Sequence, residues 1–189
     1  KDKDDCLQAA FLLMNYSGDV LAIAGGLGEK EGDNCFNRAF QAKQVIGSTI
    51  KPLAVYSVAI ENNAIYYSTM IKDISGKINA DTAGVDVNNP INGYNEEDNT
   101  VRWPHNYEET GFGSEKYVTA YYGLYKSMNT LAVNTLSRVG VVKAFEQLNK
   151  FGFELDATND MAWSPLALGQ LTNGIALTDL AAAYAIMGN

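Results

Sequence analysis

Residues 48–62 restrict the fold of this 189-residue chain more than any other segment does. Their sequence, STIKPLAVYSVAIEN, is apolar on nearly every side of a helix, and a helix of that kind is buried at the centre of its domain. Pro52 would break a helix interior, but the first turn tolerates it, because the backbone N–H groups there have no intrahelical partner. The sequence therefore predicts a buried central helix that begins close to Ser48.

The balance of charge argues against two classes of partner. Fourteen basic and 22 acidic residues leave a formal net charge of −8, so the chain has no excess positive charge to bind nucleic acid or an anionic membrane surface. Residues 81–115 hold eight of the acids and one base, and so account for seven of the eight negative charges. The hydrophobic content of 47% is that of a globular protein, and the length suits a single domain over residues 1–189.

We expect no metal and no cofactor. Cys6 and Cys35 are too few and too far apart for a structural metal site, and they are either two thiols or one disulfide. The only histidine, His105, lacks candidate partner ligands and is interpreted as a loop residue.

No apolar run approaches the roughly 18 residues of a membrane span, and Lys1 begins neither a signal peptide nor a Met-initiated chain. We therefore expect this N-terminus to lie inside a longer protein.

The pattern along the chain predicts a hairpin followed by a mostly helical remainder. Two short apolar runs, 8–16 and 19–25, flank the turn dipeptide Ser17-Gly18, which predicts an antiparallel β-hairpin. Residues 72–115 lack a sustained period and are interpreted as long loops with at most one short strand. Helical spacing then predicts helices at 117–126, 130–139, 141–151 and 178–187, the last with Thr178 as its N-cap and a stop at Gly188.

Ser48 and Lys51 are candidates for a nucleophile and its base. Their spacing places a hydroxyl and an amine one turn apart at a helix start. Serine needs a base to remove its proton, and lysine is a base only when it is uncharged. Burial and the positive end of the helix both lower the pKa of a lysine at this position. The alternative is an N-cap serine beside a solvated lysine.

Ser127 and Asn129 form a second candidate pair, in the only Ser-x-Asn of the chain. A second serine could relay a proton, and an Asn amide offers a donor and an acceptor to a substrate peptide bond. The alternative is a turn between two helices in which Asn129 caps the second helix.

In their flanking sequence, these two elements resemble the transpeptidase domain of penicillin-binding proteins, most closely that of the bifunctional high-molecular-weight kind. The resemblance runs in the family's order along nearly the whole chain. It lies in LQAA (7–10), GDVLAIAGG (18–26), FNRAFQ (36–41), GSTIKP (47–52), PHNY (104–107), SMNTLAV (127–133), SPLALG (164–169) and TDLAAAY (178–184).

The resemblance implies a fold and a role for each candidate residue. The fold would be an α/β fold of the α+β type, like that of β-lactamases and transpeptidases. It would have a sheet hairpin at 8–26 and a mostly helical part at 47–189. Ser48 would be acylated by a stem peptide or a β-lactam, and Lys51 would activate it. Ser127 would assist proton transfer, and Asn129 would hold the substrate amide.

The family's third motif, Lys-Thr-Gly or Lys-Ser-Gly on a sheet strand, does not occur in this sequence. In the family it lies beyond the segment that matches 178–184, together with late strands of the sheet. We therefore expect residues 1–189 to be a transpeptidase domain that is incomplete at its C-terminus, and to be poorly acylated without the rest.

The function that the resemblance implies is that of a serine acyltransferase, a D-Ala-D-Ala transpeptidase that cross-links peptidoglycan stem peptides and is acylated by β-lactam antibiotics. The expected location is the cell envelope outside the cytoplasm, with membrane attachment only through segments outside this chain. Two alternatives stay open: a β-lactamase or β-lactam sensor, which shares the first two motifs, and a non-catalytic scaffold fragment.

Overall fold

A computed structural model describes residues 7–30, 32–79, 85–86, 100–107 and 111–189. Helices and short antiparallel strands alternate along these residues. In chain order the elements are β1 (Phe11–Met14), β2 (Val20–Ala24), α1 (Arg38–Gln41), β3 (Lys43–Gln44), a 3₁₀ turn (Gly47–Ile50), a π-helical segment (Lys51–Tyr56), α2 (Ser57–Glu61), β4 (Met70–Lys72), β5 (Gly76–Asn79), β6 (Val85–Asp86), β7 (Thr100–Trp103), β8 (Tyr117–Thr119), α3 (Ala120–Tyr125), α4 (Asn129–Ser137), α5 (Val141–Lys150), α6 (Trp163–Leu168), β9 (Ile175–Ala176) and α7 (Leu177–Met187).

The predicted central helix is present over Gly47–Glu61, but its geometry changes along its length. It starts as a 3₁₀ turn, widens into a π-helical segment at Lys51–Tyr56 and ends as the α-helix α2. Pro52 lies at the start of the π-helical segment, as the sequence argument requires. Wide π turns inside helices are frequent at functional sites, and this one begins at a candidate catalytic residue.

The core surrounds the central helix. Ile50, Leu53, Ala54 and Val55 are fully buried, and they pack in one cluster with apolar side chains from α4, α5, α6 and α7. A helix that is apolar on nearly all sides requires such neighbours on nearly all sides. The sequence prediction of a buried central helix is therefore confirmed.

The strands form small antiparallel sheets, several of which join distant parts of the chain. β1 pairs with β2 as the predicted hairpin, with an irregularity between Leu13 and Met14. β3 pairs with β9, β4 pairs with β8, and β5 lies between β6 and β7. The interpretation of 72–115 as loops with at most one strand was wrong, because β5, β6 and β7 together form a three-stranded sheet there.

Two further details differ from expectation, and the state of one cysteine is established. Residues 117–119 are strand β8 rather than the start of a helix, because they pair with β4. Thr178 lies inside α7, whose N-cap is Ala176, whereas the predicted stop at Gly188 is confirmed. Cys35 is an exposed free thiol, and Cys6 lies outside the described residues.

Candidate active site

Ser48 lies in the 3₁₀ turn at the exposed end of the central helix. Gly47 precedes it in a left-handed conformation (φ +53°) and donates its N–H to the carbonyl of Gly169 at 3.3 Å. Tyr184 of α7 donates its hydroxyl to the Thr49 carbonyl at 2.7 Å. The turn that carries the candidate nucleophile is thus held from both sides by the C-terminal part of the chain.

Lys51 is buried beneath this turn, with 1% of its surface exposed. Its Nζ donates to the Ser127 carbonyl at 2.7 Å, to Ser127 Oγ at 3.2 Å and to Asn129 Oδ1 at 2.6 Å. Burial lowers the pKa of Lys51 from 10.5 to about 8, because an ammonium loses its hydration inside the protein. The alternative of a solvated lysine is therefore wrong, and Lys51 is poised to lose its proton near neutral pH.

Ser127 occupies the turn between α3 and α4 and is exposed to solvent. Its φ of +51° is uncommon for a residue with a side chain, and such conformations cluster at functional sites. The Met128 N–H donates to the Gly123 carbonyl at 2.9 Å, which closes the turn. In this conformation Ser127 presents both its carbonyl and its hydroxyl to Lys51.

Asn129 is the first residue of α4, and Met128 is the N-cap. The alternative in which Asn129 caps this helix is therefore wrong. Its side chain joins two segments instead: Oδ1 accepts from Lys51, while Nδ2 donates to the His105 carbonyl at 2.7 Å. Because a carbonyl can only accept, His105 fixes which end of the Asn129 amide faces Lys51.

Of the four candidate residues, Lys51, Ser127 and Asn129 meet directly. Within the described residues Ser48 Oγ makes no hydrogen bond to Lys51 or Ser127, although its backbone carbonyl accepts from the Lys51 N–H. Catalytic hydrogen bonds are often long before substrate binds, so this geometry is compatible with a role for Ser48.

A buried polar layer behind the site was missed at the level of sequence. It contains Asp73, Asn106 and Thr130, all 2% exposed or less. Asn106 and Thr130 fall inside segments 104–107 and 127–133, beside the more conspicuous His105 and Asn129. Asp73 follows a short strand and has no motif of its own, so no local signal marks it.

His105 contributes its backbone rather than its ring. The ring is exposed and lies edge-on to Phe112, with centroids 4.9 Å apart. Within the described residues no group of three or more His, Cys, Asp or Glu side chains is placed to hold a metal ion. None of the helices in those residues is long and apolar enough to cross a membrane.

Solved structures define the class to which this fold belongs. Penicillin-binding protein 1A from Haemophilus influenzae superposes with a TM-score of 0.71 at 25% identity, over 96% of this chain and 23% of that one. Penicillin-binding protein 3 from Mycobacterium tuberculosis, solved with aztreonam, superposes with a TM-score of 0.68 at 21% identity, over 96% of this chain and 41% of that one. The predicted β-lactamase/transpeptidase-like fold is confirmed.

Sequence comparison narrows the class to a family. The family model described as penicillin binding protein transpeptidase domain matches residues 8–183. Penicillin-binding protein 1A of Clostridium acetobutylicum is 31% identical over all of this chain and 22% of its own length, and penicillin-binding protein 1A of Vibrio cholerae is 34% identical over 86% of this chain and 17% of its own. The chain belongs to the penicillin-binding protein transpeptidase domain family. It spans about a fifth of the length of these curated relatives.

Proposed function

We propose that this chain carries the nucleophile and the proton-transfer groups of a D-Ala-D-Ala transpeptidase that cross-links peptidoglycan. The observation that carries the proposal is the burial of Lys51 against Ser127 and Asn129, beneath an exposed Ser48. A buried amine with a lowered pKa is a poor structural element but a useful base.

The partners of Lys51 indicate the proton path. As an ammonium it has three protons for three acceptors. When it is neutral, its lone pair needs a donor, and of the three partner atoms only Ser127 Oγ carries a proton to donate. Ser127 is therefore the group that passes a proton to Lys51, and it has its own hydroxyl to receive one from Ser48.

In the first half-reaction Ser48 Oγ attacks the carbonyl carbon of the penultimate D-Ala, and its proton passes by way of Ser127 to Lys51. The bond to the terminal D-Ala nitrogen then breaks, and a proton passes from the Lys51 ammonium by way of Ser127 to that nitrogen as D-Ala leaves. In the second, an amine of a neighbouring stem peptide attacks the carbonyl carbon of the Ser48 ester and gives up a proton by way of Ser127 to neutral Lys51. The ester C–O bond then breaks, and a proton passes back from Lys51 by way of Ser127 to Ser48 Oγ, which restores the free serine. Asn129 holds the substrate amide during both steps.

The test is covalent labelling of the full-length gene product with fluorescent penicillin. Ser48→Ala should abolish the adduct, and Thr49→Ala, which removes a neighbouring exposed hydroxyl, should retain it. Peptide mapping should place the adduct on Ser48. An adduct that survives Ser48→Ala contradicts the assignment of the nucleophile.

The fate of the adduct separates this function from its alternatives. A stable penicilloyl ester supports a transpeptidase or a β-lactam sensor, and D-Ala release from a stem-peptide substrate separates those two. Rapid hydrolysis of penicillin indicates a β-lactamase. A correctly folded protein without any adduct indicates a non-catalytic scaffold.

The proposed partners are the stem peptides of peptidoglycan and β-lactam antibiotics, and the proposed location is the cell envelope outside the cytoplasm, with the full-length protein tethered to the membrane. The substrate supports this location, because peptidoglycan is assembled there. Fractionation of cells, followed by labelling of intact cells with a penicillin that does not enter the cytoplasm, tests the location.

A further inference from the structure

Asp73 is a fully buried carboxylate that the proposed mechanism does not use. It follows strand β4, and its own backbone is held on both sides, since its N–H donates to the Lys116 carbonyl and its carbonyl accepts from the Glu115 N–H, each at 2.8 Å. Its Oδ1 accepts from Thr130 Oγ1 at 2.6 Å and from Asn106 Nδ2 at 3.2 Å, and its Oδ2 accepts from the Ser114 N–H at 2.7 Å. The carboxylate thus ties three separate segments to β4.

Two of those segments carry the site. Thr130 directly follows Asn129, whose Oδ1 accepts from Lys51. Asn106 directly follows His105, whose carbonyl accepts from Asn129 Nδ2. Asn106 Oδ1 also accepts from the Thr130 N–H at 3.1 Å, so the two segments are joined to each other as well as to Asp73.

We propose that Asp73 is a positioning residue for the active site, holding the His105 carbonyl and the Asn129 amide at the separation that directs Asn129 Oδ1 onto Lys51. The proposal rests on the proposed function, because it assigns Asp73 a role in the acylation of Ser48. Asp73 touches neither Lys51 nor Ser48, so it acts through Asn106 and Thr130.

The position requires a carboxylate rather than an amide. Both oxygens of Asp73 accept hydrogen bonds, and every partner presents a proton. An Asn side chain has one accepting end, so Asp73→Asn would set its NH₂ group against either the Ser114 N–H or the Asn106 Nδ2 donor, whereas the Thr130 hydroxyl can rotate to accept. The substitution changes the shape of the side chain very little, and it disrupts the hydrogen bonding at one of the two oxygen positions.

Asp160 offers a matched control. It is also fully buried, and its carboxylate likewise accepts three hydrogen bonds: from the Asp156 N–H at 2.9 Å, from the Thr172 N–H at 2.8 Å and from Thr172 Oγ1 at 2.7 Å. None of these bonds involves Asn106, Thr130 or the residues around Lys51. Asp160→Asn should therefore destabilise the fold as Asp73→Asn does, but without disturbing the hydrogen bonds that lead to Asn129.

The experiment is a double-mutant cycle on the rate of Ser48 acylation in the full-length gene product. Intact-protein mass spectrometry would follow the penicillin adduct in wild type, Asp73→Asn, Asn129→Ala and the double variant. Asp160→Asn would be measured in the same two backgrounds, with Asn129 present and with Asn129→Ala. We expect Asp73→Asn to slow acylation about tenfold when Asn129 is present and less than about twofold when Asn129 is replaced. A difference of this size between the two rate factors is typical of residues that belong to one hydrogen-bond network. Asp160→Asn should change the rate by the same factor in both backgrounds.

An equal effect of Asp73→Asn in both backgrounds would overturn the proposal, as would an effect no larger than that of Asp160→Asn. If Asp73→Asn does not fold, Thr130→Val provides the same comparison, because it removes the hydroxyl that donates to Asp73 and keeps the side-chain shape. Failure of the proposed function looks different: wild type and Asp160→Asn would then form no adduct, or the adduct would survive Ser48→Ala.

Discussion

At the scale of single residues, Lys51 shows what the site requires of its surroundings. Its side chain is buried, so the ammonium group loses its hydration. Oxygen atoms of Ser127 and Asn129 partly replace the lost water as hydrogen-bond acceptors. Removing either partner would leave a buried cation short of acceptors, which costs more than the hydrogen bond itself contributes.

The lowered pKa of Lys51 predicts how acylation depends on pH. With a pKa of about 8, roughly a tenth of Lys51 is neutral at pH 7, compared with about 0.03% at the ordinary value of 10.5. If the neutral amine is the base, the second-order rate of penicillin acylation should rise about tenfold per pH unit below pH 7 and level off above pH 8.

Lys51→Arg is the control for this profile, because a guanidinium keeps its charge throughout the range. It should be acylated slowly and without the rise that wild type shows. A wild-type rate that stays constant between pH 6 and 9 would contradict the role of Lys51 as the base.

The sequence indicates the candidate side chains of the site, but it does not indicate the residues that hold them in place. Ser48, Lys51, Ser127 and Asn129 stand out because each has a chemical function at a recognisable spacing. The His105 carbonyl is invisible in a sequence, because every residue has one. Asp73 is equally hidden, since its importance depends on partners 33 and 57 residues away.

At the scale of elements, long segments with a clear period were predictable and short ones were not. The hairpin and the central helix follow from apolar runs and a turn dipeptide, and the structure confirms both. Strand β3 has two residues, and its partner β9 lies more than a hundred residues along the chain. Such a pair forms because packing brings it together, so neither half carries a local signal.

The junction between α6 and the Ser48 turn gives a prediction at this scale. Gly169 ends α6 at φ +78°, and a Cβ added to it would overlap the Gly47 carbonyl oxygen. Gly169→Ala should therefore lower the free energy of unfolding by about 2–4 kcal/mol, from backbone strain and overpacking together. It should also slow acylation, because Gly47 directly precedes Ser48.

Gly47→Ala is the matched comparison, since Gly47 also has a positive φ but a Cβ there would meet open space. Gly47→Ala should lower the free energy of unfolding by only about 1–2 kcal/mol, the strain of a left-handed conformation at a residue with a Cβ. Denaturant unfolding of the two variants measures the difference. If Gly169→Ala is no less stable than Gly47→Ala, the close approach of α6 to the Ser48 turn is not a packing constraint.

At the scale of the whole molecule, the helical part and the hairpin differ in how they bury apolar surface. The central helix has neighbours from α4 to α7, and its apolar side chains are covered. In the hairpin all five residues of β2 are exposed, and so are Phe11 and Leu13 of β1. The described residues therefore form a well-packed body around the central helix and an open hairpin of β1 and β2.

That open sheet predicts how residues 1–189 behave when they are expressed alone. Phe11 (57% exposed) and Leu13 (48%) lie on one face of β1, because side chains two apart in a strand point the same way. Their cross-strand partners are Ala24 and Ala22, so that face is apolar throughout. Exposed apolar sheet surface with free strand edges promotes association, and we expect the isolated chain to form oligomers that grow with concentration.

Phe11→Glu with Leu13→Glu should reduce this association, because two carboxylates on that face repel a second copy and carry the net charge from −8 to −10. The control is Tyr66→Glu with Tyr67→Glu, which makes the same charge change at two exposed residues of another segment (61% and 77% exposed). Light scattering over a concentration series should show a smaller mean mass for the first variant and little change for the second. Equal effects of the two variants would assign the association to net charge, and a wild-type chain that stays monomeric at every concentration would show that the open hairpin face does not drive self-association.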